Sequence, residues 1–138
     1  MTNPTTTPTS TPTATTGAVT GQPRHWLRLE GVAAFAAGVA LYLSMGGNWL
    51  LLVPLLLLVD VSMVGYLAGP RAGAVGYNLA HNWAPGLAVL AAGVALDVRW
   101  ILLAGAVLVA HVGMDRVAGY GLKYPTGFKD THLGRIGR

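Results

Sequence analysis

The chain has 138 residues, of which 53% are hydrophobic and only 10% are charged, with a formal net charge of +4 and no cysteine. Because soluble domains carry about 25% charged residues, this composition is typical of a membrane protein. The lack of cysteine excludes disulfides, thiolate metal sites and thiol nucleophiles. The basic residues flank apolar segments, where they set membrane topology, and this excludes a nucleic-acid-binding protein.

The order of apolar and polar segments predicts an all-α fold. Residues 1–23 are rich in Thr and Pro and predict a disordered tail. Four apolar segments follow, each long enough to cross a bilayer. The predicted helices lie at about 25–45, 49–67, 74–96 and 100–119, with a kink at Pro85. We therefore expect a four-transmembrane-helix bundle of two antiparallel hairpins over residues 24–119, followed by a polar, basic tail over 120–138.

The basic residues favour one orientation of this bundle. Arg24, Arg28, Arg71 and the Lys and Arg residues after helix four lie on one side, and Arg99 lies on the other. By the positive-inside rule, both termini are expected in the cytoplasm, with the chain spanning the inner (cell) membrane several times.

Every predicted helix carries a polar side chain that is costly to place in lipid, and these side chains lie at similar depths in the predicted cytoplasmic half. They are Glu30, Asp60, Asn78, His81, His111 and Asp115. Residues three or four apart share a helix face, which applies to Asn78 with His81 and to His111 with Asp115. The convergence of depth and face predicts one shared polar site.

Imidazole and carboxylate groups from several helices of a bundle are typical ligands of iron, manganese or zinc. Our first hypothesis is a metal-dependent membrane enzyme that acts on a lipid-like substrate, with Asp60, His81 and His111 as ligands of a divalent metal ion. Glu30 or Asp115 would then be the catalytic proton acceptor.

Two alternatives use the same residues. In a small proton-coupled transporter, the carboxylates would bind protons and the histidines would relay them. In a structural membrane partner protein, Asp60 and His111 would simply hydrogen-bond to fix helix packing.

A weak internal repeat relates the two predicted hairpins. Residues 36–41 and 91–96 both read AAGVAL, and each copy is followed by a turn, a tryptophan and another apolar segment. When the two tryptophans are aligned, Asp60 stands opposite His111. The repeat is compatible with an ancient duplication and does not itself indicate a function.

Two further features leave alternatives open. Gly31, Ala34 and Gly38 form a small-residue stripe, which would serve either a homodimer or close helix packing within one chain. The C-terminal tail would either fold over the polar site, bringing Asp130 and His132, or remain solvated with its basic residues at lipid headgroups. The number of basic residues favours the solvated arrangement.

Several stretches of the sequence resemble a known family. They are LRLEG at 27–31, DVSMVGYLAGPRAG at 60–73, YNLAH at 77–81 and AHVGMDRVAGYGLKYPTGFKDTHLGRIG at 110–137. These motifs resemble the domain of unknown function 4260 family of small bacterial membrane proteins. The resemblance covers residues 27–137 and implies a four-helix integral membrane protein. It implies nothing about substrate, because the family has no assigned activity.

Overall fold

A computed structural model of the chain describes residues 17–137. Its helices are α1 (Gln22–Ser44), α2 (Trp49–Val59), a 3₁₀ helix (Asp60–Ala68), α3 (Pro70–Ala80), α4 (Trp83–Leu96) and α5 (Arg99–Ala118). Two short antiparallel strands in the C-terminal tail, β1 (Asp130–Thr131) and β2 (Gly134–Arg135), form the sheet of the described part of the chain. Residues 1–16 of the predicted disordered tail lie outside the described range.

The helices combine into four segments that are long and apolar enough to cross a membrane. These are Gln22–Ser44, Trp49–Ala68, Pro70–Leu96 and Arg99–Ala118. The predicted all-α architecture with four membrane-spanning helices is thus confirmed, and the orientation of the termini stays a prediction. We call the end of the bundle where α1 begins and α5 ends the tail end, and the opposite end the far end.

The second and third spans both change at the level of the polar residues. The second span passes from α2 into a 3₁₀ helix of nine residues at Asp60, and such long 3₁₀ stretches are uncommon and often mark functional positions. The third span is interrupted at His81 and Asn82, where the Asn82 side chain accepts a hydrogen bond from the Ala84 N–H at 2.8 Å and caps α4. The break therefore precedes the predicted kink, and Pro85 lies in the first turn of α4, where a missing N–H removes no helical hydrogen bond.

Helix α5 is the centre of the bundle. It packs against α1, α4 and α2, while α3 packs mainly against the 3₁₀ helix. In α5, 56% of the apolar stretch is buried inside the protein, against 17% or less in each of the other three spans. The outward faces of those spans are apolar and exposed, as a lipid-contacting surface requires.

The small-residue stripe of α1 is used within the chain. A Cβ atom added at Gly38 would lie 2.7 Å from the backbone nitrogen of Ala110, and one added at Gly113 would clash with the backbone nitrogen of Phe35. Gly31 likewise faces the backbone of Gly113. The glycines therefore let α1 and α5 approach closely, and the homodimer stays a prediction that this stripe no longer supports.

Gly38→Val is expected to lower the free energy of unfolding by at least about 1–3 kcal/mol, because overpacking a close helix contact forces the backbone apart. Ala33→Val on the exposed face of α1 is the matched control. Thermal unfolding of both variants in detergent micelles checks the prediction. Equal melting temperatures for the two variants would contradict the close packing of α1 on α5.

Candidate metal centre

Four of the predicted polar residues meet in the interior of the bundle. We call Asp60, His81, His111 and Asp115 the His/Asp cluster. The Asp60 Oδ1 atom lies 3.3 Å from His81 Nε2 and 3.6 Å from His111 Nε2. The Asp115 carboxylate lies 3.9 Å from His81 Nε2 and 3.8 Å from His111 Nε2. Both histidines are fully buried and Asp115 is 5% exposed, whereas the Asp60 side chain is 33% exposed, so the cluster is closed to the surroundings except at Asp60.

Local breaks in the helices place these side chains. Asp60 begins the 3₁₀ helix, and His81 lies at the interruption between α3 and α4. His111 and Asp115 are one turn apart on α5 and therefore share its face. The contact between Asp60 and His111 also joins the two positions that the internal repeat places opposite each other.

The hydrogen bonds of His81 assign its protonation. Its Nδ1 atom lies 2.9 Å from the carbonyl oxygen of Tyr77 and 3.4 Å from the Ser62 hydroxyl. Because a carbonyl oxygen only accepts hydrogen bonds, we assign the proton of the neutral ring to Nδ1. Nε2 then directs a lone pair at two carboxylates. The lone pair of this nitrogen and those of the carboxylate oxygens repel each other unless a proton or a metal ion lies between them.

The ring of His111 also needs a proton or a metal ion as a partner. Both of its ring nitrogens are buried and lack a hydrogen-bond partner among the described residues, although buried polar atoms are almost always paired. Ligand atoms around a single tetrahedral ion with bonds of about 2.0–2.2 Å lie roughly 3.3–3.6 Å apart. The distances of His111 Nε2 to the carboxylates are close to that range, and one ligand atom each of Asp60, His81 and His111 can be chosen within 4.8 Å of one another.

Two residues without a sequence-predicted site role support the cluster. The Tyr77 hydroxyl donates a short hydrogen bond to Asp115 Oδ2, and its ring stacks on His81 with centroids 3.7 Å apart. The Arg116 guanidinium donates to the carbonyl oxygens of His81 at 2.9 Å and Tyr120 at 2.6 Å. The spacing of four residues between Tyr77 and His81 was the available sequence signal, whereas the target of Arg116 is set only by the tertiary fold.

The structure does not bring Glu30 or Asn78 into the cluster. Glu30 is exposed on α1, because Gly31 faces α5 and one residue along a helix turns the side chain by about 100°. Glu30 is thus too far around the helix to accept a proton at the cluster. The Asn78 amide instead binds the backbone of Lys123, donating to its carbonyl oxygen at 2.9 Å and accepting from its N–H at 2.7 Å.

The C-terminal tail folds onto the tail end of the bundle, and the expectation of a solvated tail is wrong. Leu133 is 0% and Lys123 is 4% exposed. The His132 Nδ1 atom accepts a hydrogen bond from the Leu122 N–H at 2.7 Å. Asp130 pairs with Arg135 at 2.9 Å, so the tail covers the site without adding the carboxylate or the imidazole to the cluster.

Two cavities lie in this part of the bundle, and the smaller one is lined by residues of the cluster. One, of about 300 Å³, lies toward the tail end between the cluster carboxylates and the folded tail. It is lined by Asp60, Met63, Tyr77, Met114, Asp115, Tyr120, Lys123, Phe128 and Ile136. We call it the headgroup cavity.

The other cavity, of about 530 Å³, is an apolar groove between α2 and α5 toward the far end. Its lining runs along α2 to Val59, the neighbour of Asp60, and along α5 through Val107, one turn before His111. We call it the apolar groove. The groove thus ends near the level of the cluster, and its lining includes no cluster residue.

The model of the family described as Domain of unknown function (DUF4260) matches residues 24–136. The chain belongs to this family. The match confirms the resemblance inferred from the motifs, and the matched part of the DUF4260 chain includes the whole His/Asp cluster and nearly all of the tail. No curated protein and no solved structure matches the chain.

Docking of the DUF4260 tail is expected to weaken in acid. Burial, and then the nearby Arg116 charge, lower the pKa of His132 below its ordinary 6.5, and protonation would also remove the acceptor for the Leu122 N–H. The undocked tail then binds the proton more tightly. Docking is fully stable above about pH 6.5 and loses stability as the pH falls below that value.

Because the chain lacks cysteine, a spin label at Lys129→Cys reports this docking directly. The mobility of the label is expected to rise as the pH is lowered from about 8 to about 5. In a Lys129→Cys, His132→Gln background the rise should be lost, since glutamine has no charge to gain. An equal rise in both proteins would contradict the role of His132.

Proposed function

We propose that this protein is a membrane-embedded metalloenzyme that holds one divalent first-row metal ion at Asp60, His81 and His111 and acts on a lipid-like substrate. The observation that carries the proposal is the orientation of the two imidazoles. Each Nε2 atom faces the carboxylates at 3.3–3.9 Å, and His111 has no hydrogen-bond partner among residues 17–137. A metal ion bound to Asp60 would satisfy both Nε2 atoms at once.

The ligand set favours a catalytic ion over a structural one. Structural zinc sites close with four protein ligands, whereas catalytic zinc sites use three and leave one position open. Two histidines and one carboxylate are also the ligands of non-haem iron(II) oxygenases. Asp115 is held by the Tyr77 hydroxyl and lies beside the three ligands, where it would act as the proton acceptor.

The apolar groove supports a lipid-like substrate. Its walls consist of leucine, valine, alanine and aromatic side chains from α2 and α5 and from Tyr42. An acyl chain in this groove would have one end beside the cluster, because both walls reach the residues adjacent to the ligands. A water-soluble substrate would gain nothing from such a surface.

The packing of the far end argues against the proton-coupled transporter. The buried core there is apolar, consisting of Tyr42, Leu52, Leu56, Leu103, Ala106, Val107 and Ala110. Proton pathways across a membrane use chains of ionisable or hydrated groups, and the described residues place no ionisable chain between the cluster and the far end. The arrangement suits a reaction centre that is open toward one side.

The activity can be tested with a total lipid extract of bacterial membranes as substrate mixture. The metal-loaded protein is incubated with the extract, and lipids are compared by mass spectrometry with those from Asp60→Asn and from wild type with EDTA. We expect one lipid class to be consumed and a product to form only with metal-loaded wild type. Identical lipid profiles in all three samples would overturn the enzyme proposal.

A further inference from the structure

Two buried cations accompany the two carboxylates of the site, and neither makes an ion pair within the described residues. Arg116 is 5% and Lys123 is 4% exposed. The guanidinium donates to backbone carbonyls, and the Lys123 ammonium donates to the carbonyl oxygen of Phe128 at 2.9 Å. Buried charges are normally compensated, so the charge of the whole site decides which ligand it accepts.

The charges of the site balance only without a metal. Asp60 and Asp115 offset Arg116 and Lys123, while the two histidines add no charge when neutral. A divalent ion in the cluster would leave an excess of two positive charges in a largely buried site. This inference rests on the proposed metal site: a metal-loaded site of this charge requires an anion.

Lys123 is placed to receive that anion. Its ammonium lines the headgroup cavity together with Asp60 and Asp115, and it lies over the rings of Phe128 at 3.4 Å and Tyr77 at 4.6 Å. One of its three N–H groups is used by Phe128, and the other two have no acceptor among the described residues. The Asn78 amide fixes the backbone of Lys123 through two hydrogen bonds, so the cation is held in position.

Burial lowers the pKa of the Lys123 ammonium, and an anion in the cavity would offset this desolvation. Lysine binds phosphate as a point charge. The headgroup cavity, of about 300 Å³ between the His/Asp cluster and the Lys123 ammonium, has room for a phosphate group.

We propose that the headgroup cavity binds a phosphoryl group, held between the metal ion of the His/Asp cluster and the Lys123 ammonium. The group would belong either to a lipid headgroup or to free phosphate. The chemistry of recognition is the same for both, and the substrate class of the proposed enzyme is then a phosphate-bearing amphiphile or inorganic phosphate with a lipid co-substrate.

The test uses full-length protein whose metal content is measured in the same sample. Binding of inorganic phosphate is followed by calorimetry in detergent, and binding of phosphatidic acid is followed in nanodiscs against phosphatidylcholine alone. We expect metal-loaded wild type to bind at least one of them and metal-free protein to bind neither. Tighter binding of phosphatidic acid than of phosphate identifies the lipid headgroup as the source, and tighter binding of phosphate identifies free phosphate.

Lys123→Met is expected to weaken this binding about tenfold or more, since a hydrogen bond to a charged group contributes at least that factor. Lys129→Met, an exposed lysine of the same tail, should bind as wild type does. If Lys123→Met does not fold, Lys123→Gln replaces it, and equal binding with and without metal in wild type overturns the proposal.

The outcomes separate the two proposals. Protein that binds no metal overturns the metalloenzyme itself. Protein that binds metal but neither phosphate nor phosphatidic acid, or binds them equally well after loss of Lys123, overturns only the phosphoryl site.

Discussion

Loading the purified protein with Zn²⁺ or Fe²⁺ is expected to raise its free energy of unfolding by about 4 kcal/mol when the free metal reaches about 1,000 times its dissociation constant. The metal would bind the folded cluster, where the 3₁₀ helix, the break after α3 and helix α5 bring the ligands together. It would not bind the unfolded chain, where the ligands are up to 51 positions apart (Asp60 to His111). It would also give the unpartnered Nε2 atom of His111 a ligand bond. Thermal unfolding in detergent, with metal and with EDTA, measures the effect.

A histidine outside the cluster supplies the control for this prediction. His111→Gln should lose the metal-dependent stabilisation, whereas His25→Gln, at an exposed position of α1, should keep it. A metal-induced rise in melting temperature that is the same in wild type and His111→Gln would show that the metal binds elsewhere.

Arg116→Met is expected to lower the free energy of unfolding by about 3–6 kcal/mol, because it removes two hydrogen bonds from a charged donor, each of which contributes about 1.5–3 kcal/mol. The substitution keeps much of the apolar stem but leaves the carbonyl oxygens of His81 and Tyr120 without their donor. The first of these carbonyls lies at the break between α3 and α4, and the second begins the tail. One guanidinium thus stabilises both the position of His81 and the docking of the tail.

The measurement is denaturant unfolding in mixed micelles beside Arg71→Met, which removes an exposed arginine from the first turn of α3. Arg71→Met should change stability by less than about 0.5 kcal/mol, as surface substitutions usually do. Similar stability losses in the two variants would contradict the buried role of Arg116.

The depth of the polar residues could be predicted from the sequence, but their direction around each helix could not. Helix ends follow from turn residues and apolar length, which fixes the level of Asp60, His81, His111 and Asp115 in the bundle. Glu30 lies at a similar level, and only the packing of Gly31 against α5 shows that its side chain faces away. Small apolar residues surround α1 almost evenly, so its sequence carries no strong signal of which face is buried.

The tail shows a second limit of sequence reasoning. Its many basic and polar residues predict solvation, yet Lys123 and Thr131 are buried. Their burial depends on partners distant in the chain, such as Asn78 for the Lys123 backbone. Local composition cannot indicate such long-range pairs. For this reason the sequence alone predicts Asn78 as a member of the polar site.

Elemental analysis of the detergent-purified protein tests the central claim most directly, with any affinity tag removed so that it supplies no ligands. Wild type is compared with the His81→Ala, His111→Ala double variant and with His25→Ala. We predict about one divalent metal ion per chain in wild type and in His25→Ala, as a three-ligand catalytic site would hold, and almost none in the double variant. Wild type without metal, or a double variant that retains the full metal content, would contradict a metal centre at the His/Asp cluster.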